Sequence, residues 1–153
     1  MKSLFRTFCF LFILFWSLNS FSQNNDRFEE FKKMKLNFIL THTNLNEEEK
    51  EVFNSIFTDF ENRYHSKVWI LQRNIRKDLS KAFDTISSKS ASKYIEDYYQ
   101  FEQLGMTMKN ERNQKLLKSI RPKEVLHILH QEKEFDQEMF RRIRNRSKEK
   151  EKK

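Results

Sequence analysis

The sequence predicts an all-α protein, and the scarcity of turn residues is the main reason. The 153 residues include one Gly and one Pro, whereas sheet proteins need turn residues at each hairpin and phosphate-binding loops need several glycines. Residue types that lose little side-chain freedom in a helix, such as Glu, Lys, Gln, Arg and Leu, are abundant. Apolar residues recur three and four positions apart. We therefore expect four long helices with short connections, in an elongated antiparallel arrangement of hairpins.

Residues 1–22 are typical of a secretory signal peptide. Lys2 and Arg6 precede a run of nine apolar residues that ends at Trp16, and small residues follow up to Ser22. Nine helical residues reach only about half of the roughly 30 Å apolar layer of a bilayer. Cleavage after Ser22 is therefore favoured over a retained anchor. We expect a periplasmic protein without stable membrane insertion after cleavage.

A neutral body and a basic tail follow the signal. Residues 23–140 contain 20 basic and 20 acidic side chains, and we interpret them as one helical domain. Residues 141–153 contain eight bases and two acids, and we expect this tail to be disordered. Such a tail suits phosphates, an anionic envelope surface or acidic proteins, or it only keeps the chain in solution. Export argues against nucleic acid as a partner.

Polar residues delimit the first two helices. The first helix is expected to end between Thr41 and Asn44, where short polar side chains compete for backbone hydrogen bonds. Asn46 and Glu49 have the spacing of a capping box that opens the second helix, and Leu45 is placed as a hydrophobic staple. The apolar stripe of the second helix consists of Val52, Phe53, Ile56, Phe57, Phe60, Tyr64, Val68, Leu71, Ile75 and Leu79.

The third and fourth helices are separated from their neighbours by a Ser-rich stretch and a Pro. The break before the third helix is expected at residues 87–90. Gly105 lies in the middle of this helix, where it costs roughly 1 kcal/mol relative to Ala, and it indicates a close helix contact or a small bend. Pro122 is expected in the first turn of the fourth helix, where its missing N–H is harmless.

Two pentapeptides have the form of helix starts: Leu45-Asn46-Glu47-Glu48-Glu49 and Ile120-Arg121-Pro122-Lys123-Glu124. They resemble the Leu-Thr-x-x-Gln motifs that each start a helix in the Spy/CpxP family of exported bacterial proteins, with Glu in place of Gln. Residues 27–144 look most like the divergent Bacteroidetes branch of that family. The matched motif positions are Leu45, Asn46, Glu49, Ile120, Pro122 and Glu124.

The resemblance implies a thin, curved homodimer of helical hairpins in the periplasm. Family members act as ATP-independent chaperones that bind non-native proteins, or as envelope-stress and metal-stress accessory proteins. A dimer would also supply burial that a short chain spread over long helices lacks. The alternative function is that of a metal- or stress-sensing regulatory partner of a membrane signalling protein of the envelope.

The second helix offers a surface suited to weak, varied partners, because it mixes bases with apolar side chains. Trp69 and Ile70 lie off the main apolar stripe, which predicts a second, exposed apolar strip. Aromatic residues at helical spacing also form cores and dimer interfaces, and that alternative applies to each residue here. The candidate client-binding residues are Arg63, Tyr64, Lys67, Trp69, Ile70, Arg73, Arg76 and Lys77.

No constellation of residues suggests an enzyme. After the signal there is no Cys and no Gly-framed Ser to act as a nucleophile. His127 and His130 lie one turn apart and are candidate ligands for Zn²⁺ or Cu²⁺ only with help from a partner chain, while solvated histidines are the alternative. We therefore expect no catalytic residue, no cofactor and no dedicated metal site.

Overall fold

The structure, a computed structural model, describes residues 25–151 and is helical almost throughout that range. A five-residue π-helical turn, His65–Trp69, joins two α-helices without a break, so the described residues form four helical segments and no strand. The all-α fold is thereby confirmed. The α-helices are α1 (25–41), α2 (Glu47–Tyr64), α3 (Ile70–Ala82), α4 (Ser88–Ser119) and α5 (Pro122–Glu151).

The chain divides into two compact units, Met1–Asn37 and Phe38–Lys153. In the described part of the first unit, the Lys32 ammonium pairs with Glu29 at 2.8 Å and lies 5.2 Å from the centre of the Phe28 ring. The predicted signal peptide and its cleavage point lie outside the described residues. Among the residues that are described, no helix is both long and apolar enough to cross a membrane.

The core of the second unit is built from Phe residues at helical spacing. Phe53 and Phe57 are fully buried on α2, one turn apart, with ring centres 5.5 Å from each other. Burial of large apolar side chains at three- and four-residue spacing is what holds an amphipathic helix in place. The other buried apolar residues of this unit are Ile39, Leu45, Phe60, Val68, Met108, Leu116, Ile120, Val125, Ile128 and Phe135.

Burial is uneven along the helices of the second unit. No residue of α3 is buried, and α4 has no buried residue before Gly105. We call residues 69–104 the arm: the last residue of the π-helical turn, α3, the connection after it and the first half of α4. Its helices are held by few apolar contacts, so the arm presents side chains that the rest of the second unit does not cover.

The C-terminal segment differs from its prediction. Residues 141–153 were expected to be disordered, whereas α5 continues through Glu151; residues 152–153 lie outside the described part. Glu138 accepts a 2.9 Å hydrogen bond from Arg142, one turn later, and pairs with Arg141 at 3.1 Å. Such i,i+3 and i,i+4 pairs, with the high helix propensity of Arg, Lys and Glu, favour continuing the helix.

Candidate functional site

The start of α2 has the predicted capping box. The Asn46 side-chain oxygen accepts from the Glu49 backbone N–H at 2.8 Å, and the Glu49 carboxylate accepts from the Asn46 N–H at 3.1 Å. Two of the backbone donors that a helix start leaves without partners are satisfied in this way. The capping prediction made from residue spacing is therefore confirmed.

The Glu49 carboxylate also holds the start of α5. Arg121, 72 residues away, donates to it from its backbone N–H at 3.1 Å, from Nε at 2.8 Å and from Nη2 at 2.8 Å. The hydrogen bond from the Arg121 side chain is the largest cause that lowers the pKa of Glu49 from its ordinary 4.5 to about 2, and burial opposes this change. Glu49 is therefore an anion bound by both helix starts.

Glu124, in the first turn of α5, contacts Asn44, the residue that precedes the first pentapeptide. Its carboxylate accepts from the Asn44 backbone N–H at 3.2 Å, while Arg121 Nη2 donates to the Asn44 carbonyl at 2.9 Å. The first residues of the two pentapeptides, Leu45 and Ile120, are both buried. We call Asn44, Asn46, Glu49, Arg121 and Glu124 the helix-start cluster.

The helix-start motifs lie where the sequence predicts them, but nothing in their spacing predicts that they bind each other or that Arg121 joins them. One feature of the sequence does point to this contact. Glu49 precedes Phe53 by four residues, so a charged side chain lies on the same helix face as the apolar stripe. A carboxylate in that position requires a cationic or hydrogen-bonding partner, and Arg121 of the other pentapeptide is that partner.

His127 lies beside the helix-start cluster, but the two histidines do not form a metal centre with it. His127 is half-buried, and its Nδ1 lies 3.3 Å from Glu124 Oε2, while His130 is exposed. Within residues 25–151, no group of three or more His, Cys, Asp or Glu side chains is arranged to hold a metal ion.

Of the candidate client-binding residues, Arg63 and Tyr64 lie against the core. Tyr64 packs on the buried cluster of Phe60, Val68 and Met108. Arg63 is half-buried and lies 3.4 Å from Asp59 and 3.8 Å from Glu111. The remaining six candidates are exposed: Lys67, Trp69, Ile70, Arg73, Arg76 and Lys77.

Gly105 lies where the core gives way to the arm. A Cβ built at Gly105 would lie 3.2 Å from the Tyr64 hydroxyl and 3.6 Å from Val68 Cγ1. The close helix contact predicted at this glycine is confirmed, and it lies directly opposite the π-helical turn. α4 therefore comes into close contact with the end of α2 and the π-helical turn at this glycine.

A shallow groove runs between α3 and α4 in the arm. Gln72 donates to Glu102 across it at 3.1 Å, and Ile75, Tyr98 and Phe101 line it together with Arg76. On the α3 side, Trp69, Arg73 and Arg76 share one helix face, and the Arg73 guanidinium lies 5.5 Å from the Trp69 ring centre.

The first half of α4 exposes further apolar side chains. Ile95 and Tyr99 lie one turn apart and share a helix face with Glu102, and they are 59% and 68% exposed. Tyr98, which lines the groove, is half exposed. We call Trp69, Arg73, Arg76, Ile95, Tyr98 and Tyr99 the arm face.

A buried ion pair lies on the opposite side of Gly105 from the arm. Arg112 donates to both carboxylate oxygens of Glu132 at 2.7 and 2.9 Å, and its guanidinium lies 4.5 Å from the Phe60 ring centre. Asn113 accepts two further bonds from Arg112. Because every group of this pair is bonded, it orients α4 and α5 and leaves no buried charge available for chemistry.

Comparison of the chain with protein-family models, with curated proteins and with solved structures finds no match in any of the three. The resemblance to the Spy/CpxP family therefore stays a prediction that rests on the two helix-start pentapeptides.

Proposed function

We propose that the protein is an exported, ATP-independent chaperone or envelope-stress accessory of the Spy/CpxP type, which binds non-native proteins without a cofactor and acts as a homodimer. The observation that supports this proposal is the arm face. Its aromatic and aliphatic side chains are exposed, and α3, which carries part of this face, has no buried residue.

The chemistry of the arm face fits partners that are held weakly. Trp69, Ile95 and Tyr99 offer apolar contact, and Arg73 and Arg76 add charge beside them. An unfolded chain exposes apolar and charged groups in no fixed order, so a mixed surface binds many such chains and releases them.

The test is suppression of aggregation, without ATP, of a chemically unfolded model protein by residues 23–153. We expect dose-dependent suppression that falls at least severalfold in Trp69→Ala/Tyr99→Ala. The matched control is Leu117→Ala/Leu126→Ala, which removes two exposed leucines outside the arm and should suppress as well as the unmodified chain. Equal suppression of aggregation by both variants would show that the arm face does not bind the unfolded protein. No suppression at severalfold excess would overturn the chaperone proposal.

The second candidate is a metal-sensing partner of an envelope signalling protein, and the position of His127 favours testing it. A metal bound at His127 would lie beside Glu124, whose carboxylate holds the Asn44 backbone, so it would act on the helix-start cluster. Zinc titration followed by thermal melting would then show a higher melting temperature, because a ligand that binds the folded chain stabilises it, and His127→Ala/His130→Ala would abolish that change. A melting temperature unaffected by zinc would exclude this candidate.

A further inference from the structure

The end of α5 extends past the core of the second unit. Phe135 is the last buried residue of α5 in the described part of the helix, and residues 140–149 are all exposed. We call residues 140–149 the C-terminal extension. Since it is helical but uncovered, its side chains are arranged on defined faces and are available to a partner.

Two large apolar side chains share one face of the C-terminal extension. Phe140 is 72% exposed and Ile143 is 58% exposed, and their three-residue separation places them side by side. Arg144 follows Phe140 by four residues and Arg146 follows Ile143 by three, so each apolar side chain has a guanidinium group one turn away.

The charge of the extension is only partly neutralised within the protein. Glu138 pairs with Arg141 and Arg142, and the bond from Arg142 is the first cause that lowers the pKa of Glu138. Within the described residues, Arg144, Arg146 and Lys148 make no ion pair, and the two residues that follow the described range are both Lys. The extension therefore presents a local excess of positive charge around an apolar stripe.

We propose that the C-terminal extension binds the surface of an anionic phospholipid bilayer. A basic helix with an apolar stripe lies in the headgroup layer, where its apolar side chains reach the acyl chains and its long basic side chains reach the phosphates. A nucleic acid would neutralise the bases but leave Phe140 and Ile143 in water. The observed combination thus favours a bilayer surface, independently of the function proposed for the arm face.

The experiment is co-sedimentation of residues 23–153 with vesicles of equal parts phosphatidylcholine and phosphatidylglycerol, against vesicles of phosphatidylcholine alone. We expect binding to the anionic vesicles that weakens as ionic strength rises. Replacing Arg141, Arg142, Arg144 and Arg146 by Gln should reduce the affinity by about 600-fold, since each base near an anionic surface contributes roughly fivefold. Gln is a good helix former, so circular dichroism should show the helix intact.

The matched control removes the same charge from exposed positions elsewhere, by replacing Lys89, Lys93, Lys118 and Lys123 with Gln. It should leave most vesicle binding in place. If the control variant loses as much vesicle binding, the binding depends only on the net charge of the protein, and this result would overturn the proposal. Equal binding to both kinds of vesicle would do the same.

A second variant tests the apolar stripe. Phe140→Ser/Ile143→Ser should weaken binding to anionic vesicles by about tenfold or more, because it removes the apolar contact with the acyl chains, but should leave binding to double-stranded DNA unchanged. If vesicle binding is unaffected by this variant, the extension is a general polyanion binder and not a lipid-binding site. Suppression of aggregation should be unchanged in both extension variants. A negative result for vesicle binding would therefore not count against the function proposed for the arm face, and the reverse also holds.

Discussion

At the scale of the residue, Glu49 shows how one side chain can join two distant helix starts. Its carboxylate completes the capping box with Asn46 and accepts three hydrogen bonds from Arg121. Each helix start has backbone donors that no backbone carbonyl of its own helix can satisfy. An anion is suited to both starts, because the N-terminal end of a helix carries partial positive charge.

We expect Glu49→Gln to lower the melting temperature at neutral pH, because the amide loses the charge that binds Arg121. The folded-state pKa of Glu49 is about 2, below its ordinary 4.5, so the ionised carboxylate stabilises the fold above pH 4.5 and loses this effect as pH falls toward 2. The difference in unfolding free energy between the unmodified chain and the variant, measured by urea denaturation, should shrink over that range.

The control for this prediction is Glu47→Gln, in the same helical turn. Glu47 is exposed and pairs only with Lys50, at 2.7 Å, so the change should have little effect on stability. A Glu47 variant as unstable as the Glu49 variant would assign the effect to the helix dipole and not to the bond with Arg121.

At the scale of the element, the π-helical turn accounts for the register of the arm. On the predicted apolar stripe, Phe60 and Leu79 are separated by 19 residues over five turns, whereas five turns of regular α-helix contain about 18 residues. The turn His65–Trp69 absorbs the additional residue. As a result Gln72 faces α4 and bonds to Glu102, while Leu71, which the sequence placed on the stripe, is exposed.

Deleting Ser66 should convert this turn to regular α-helix without rotating either flanking face. Ser66 is exposed, and its hydroxyl bonds only to backbone carbonyls of the preceding turn. We expect a cooperative thermal melt with an unchanged or higher midpoint, followed by circular dichroism.

Deletion of Ser55, also exposed but within regular α2, is the matched comparison. It would rotate Phe57 and Phe60 by about 100° relative to Phe53, and we expect it to abolish the cooperative melt. If deletion of Ser66 abolishes the cooperative melt as deletion of Ser55 does, the π-helical turn is required for the contact with Gly105. The turn would then not be a tolerated one-residue insertion.

At the scale of the whole molecule, burial is distributed unevenly. The second unit concentrates its buried residues on α2, the π-helical turn, the end of α1, the second half of α4 and the first half of α5. The arm has none on α3 and none on α4 before Gly105. Regions with few buried apolar contacts open at a lower free energy than the core.

Hydrogen exchange should therefore separate the arm from the core. We expect backbone amides of residues 74–98 to exchange at least tenfold faster than those of residues 53–60, measured by mass spectrometry on peptic fragments at neutral pH. Both segments are helical, so the contrast would report tertiary burial and not secondary structure. Uniform protection would mean that another surface, such as a second copy of the chain, covers the arm.

The sequence by itself determined the features that depend on neighbouring residues. Scarce Gly and Pro, the capping box of Asn46 and Glu49, and Pro122 in the first turn of α5 are local, and the all-α fold and helix starts follow from them. The close contact at Gly105 was also predicted, because a glycine inside a helix needs a reason that outweighs its cost. The helical course of residues 141–151 was missed, since disorder was inferred from charge alone and the pairing with Glu138 was not considered.

Only the tertiary structure decided which helix faces pack against each other. The bond between Glu49 and Arg121 joins positions 72 residues apart, and no local spacing specifies such a partner. The arm face is exposed because α3 and the first half of α4 bury little against each other, although periodicity predicts an apolar stripe on both. Periodicity defines which residues share a face, but burial depends on what packs against that face, and this is a property of the folded chain.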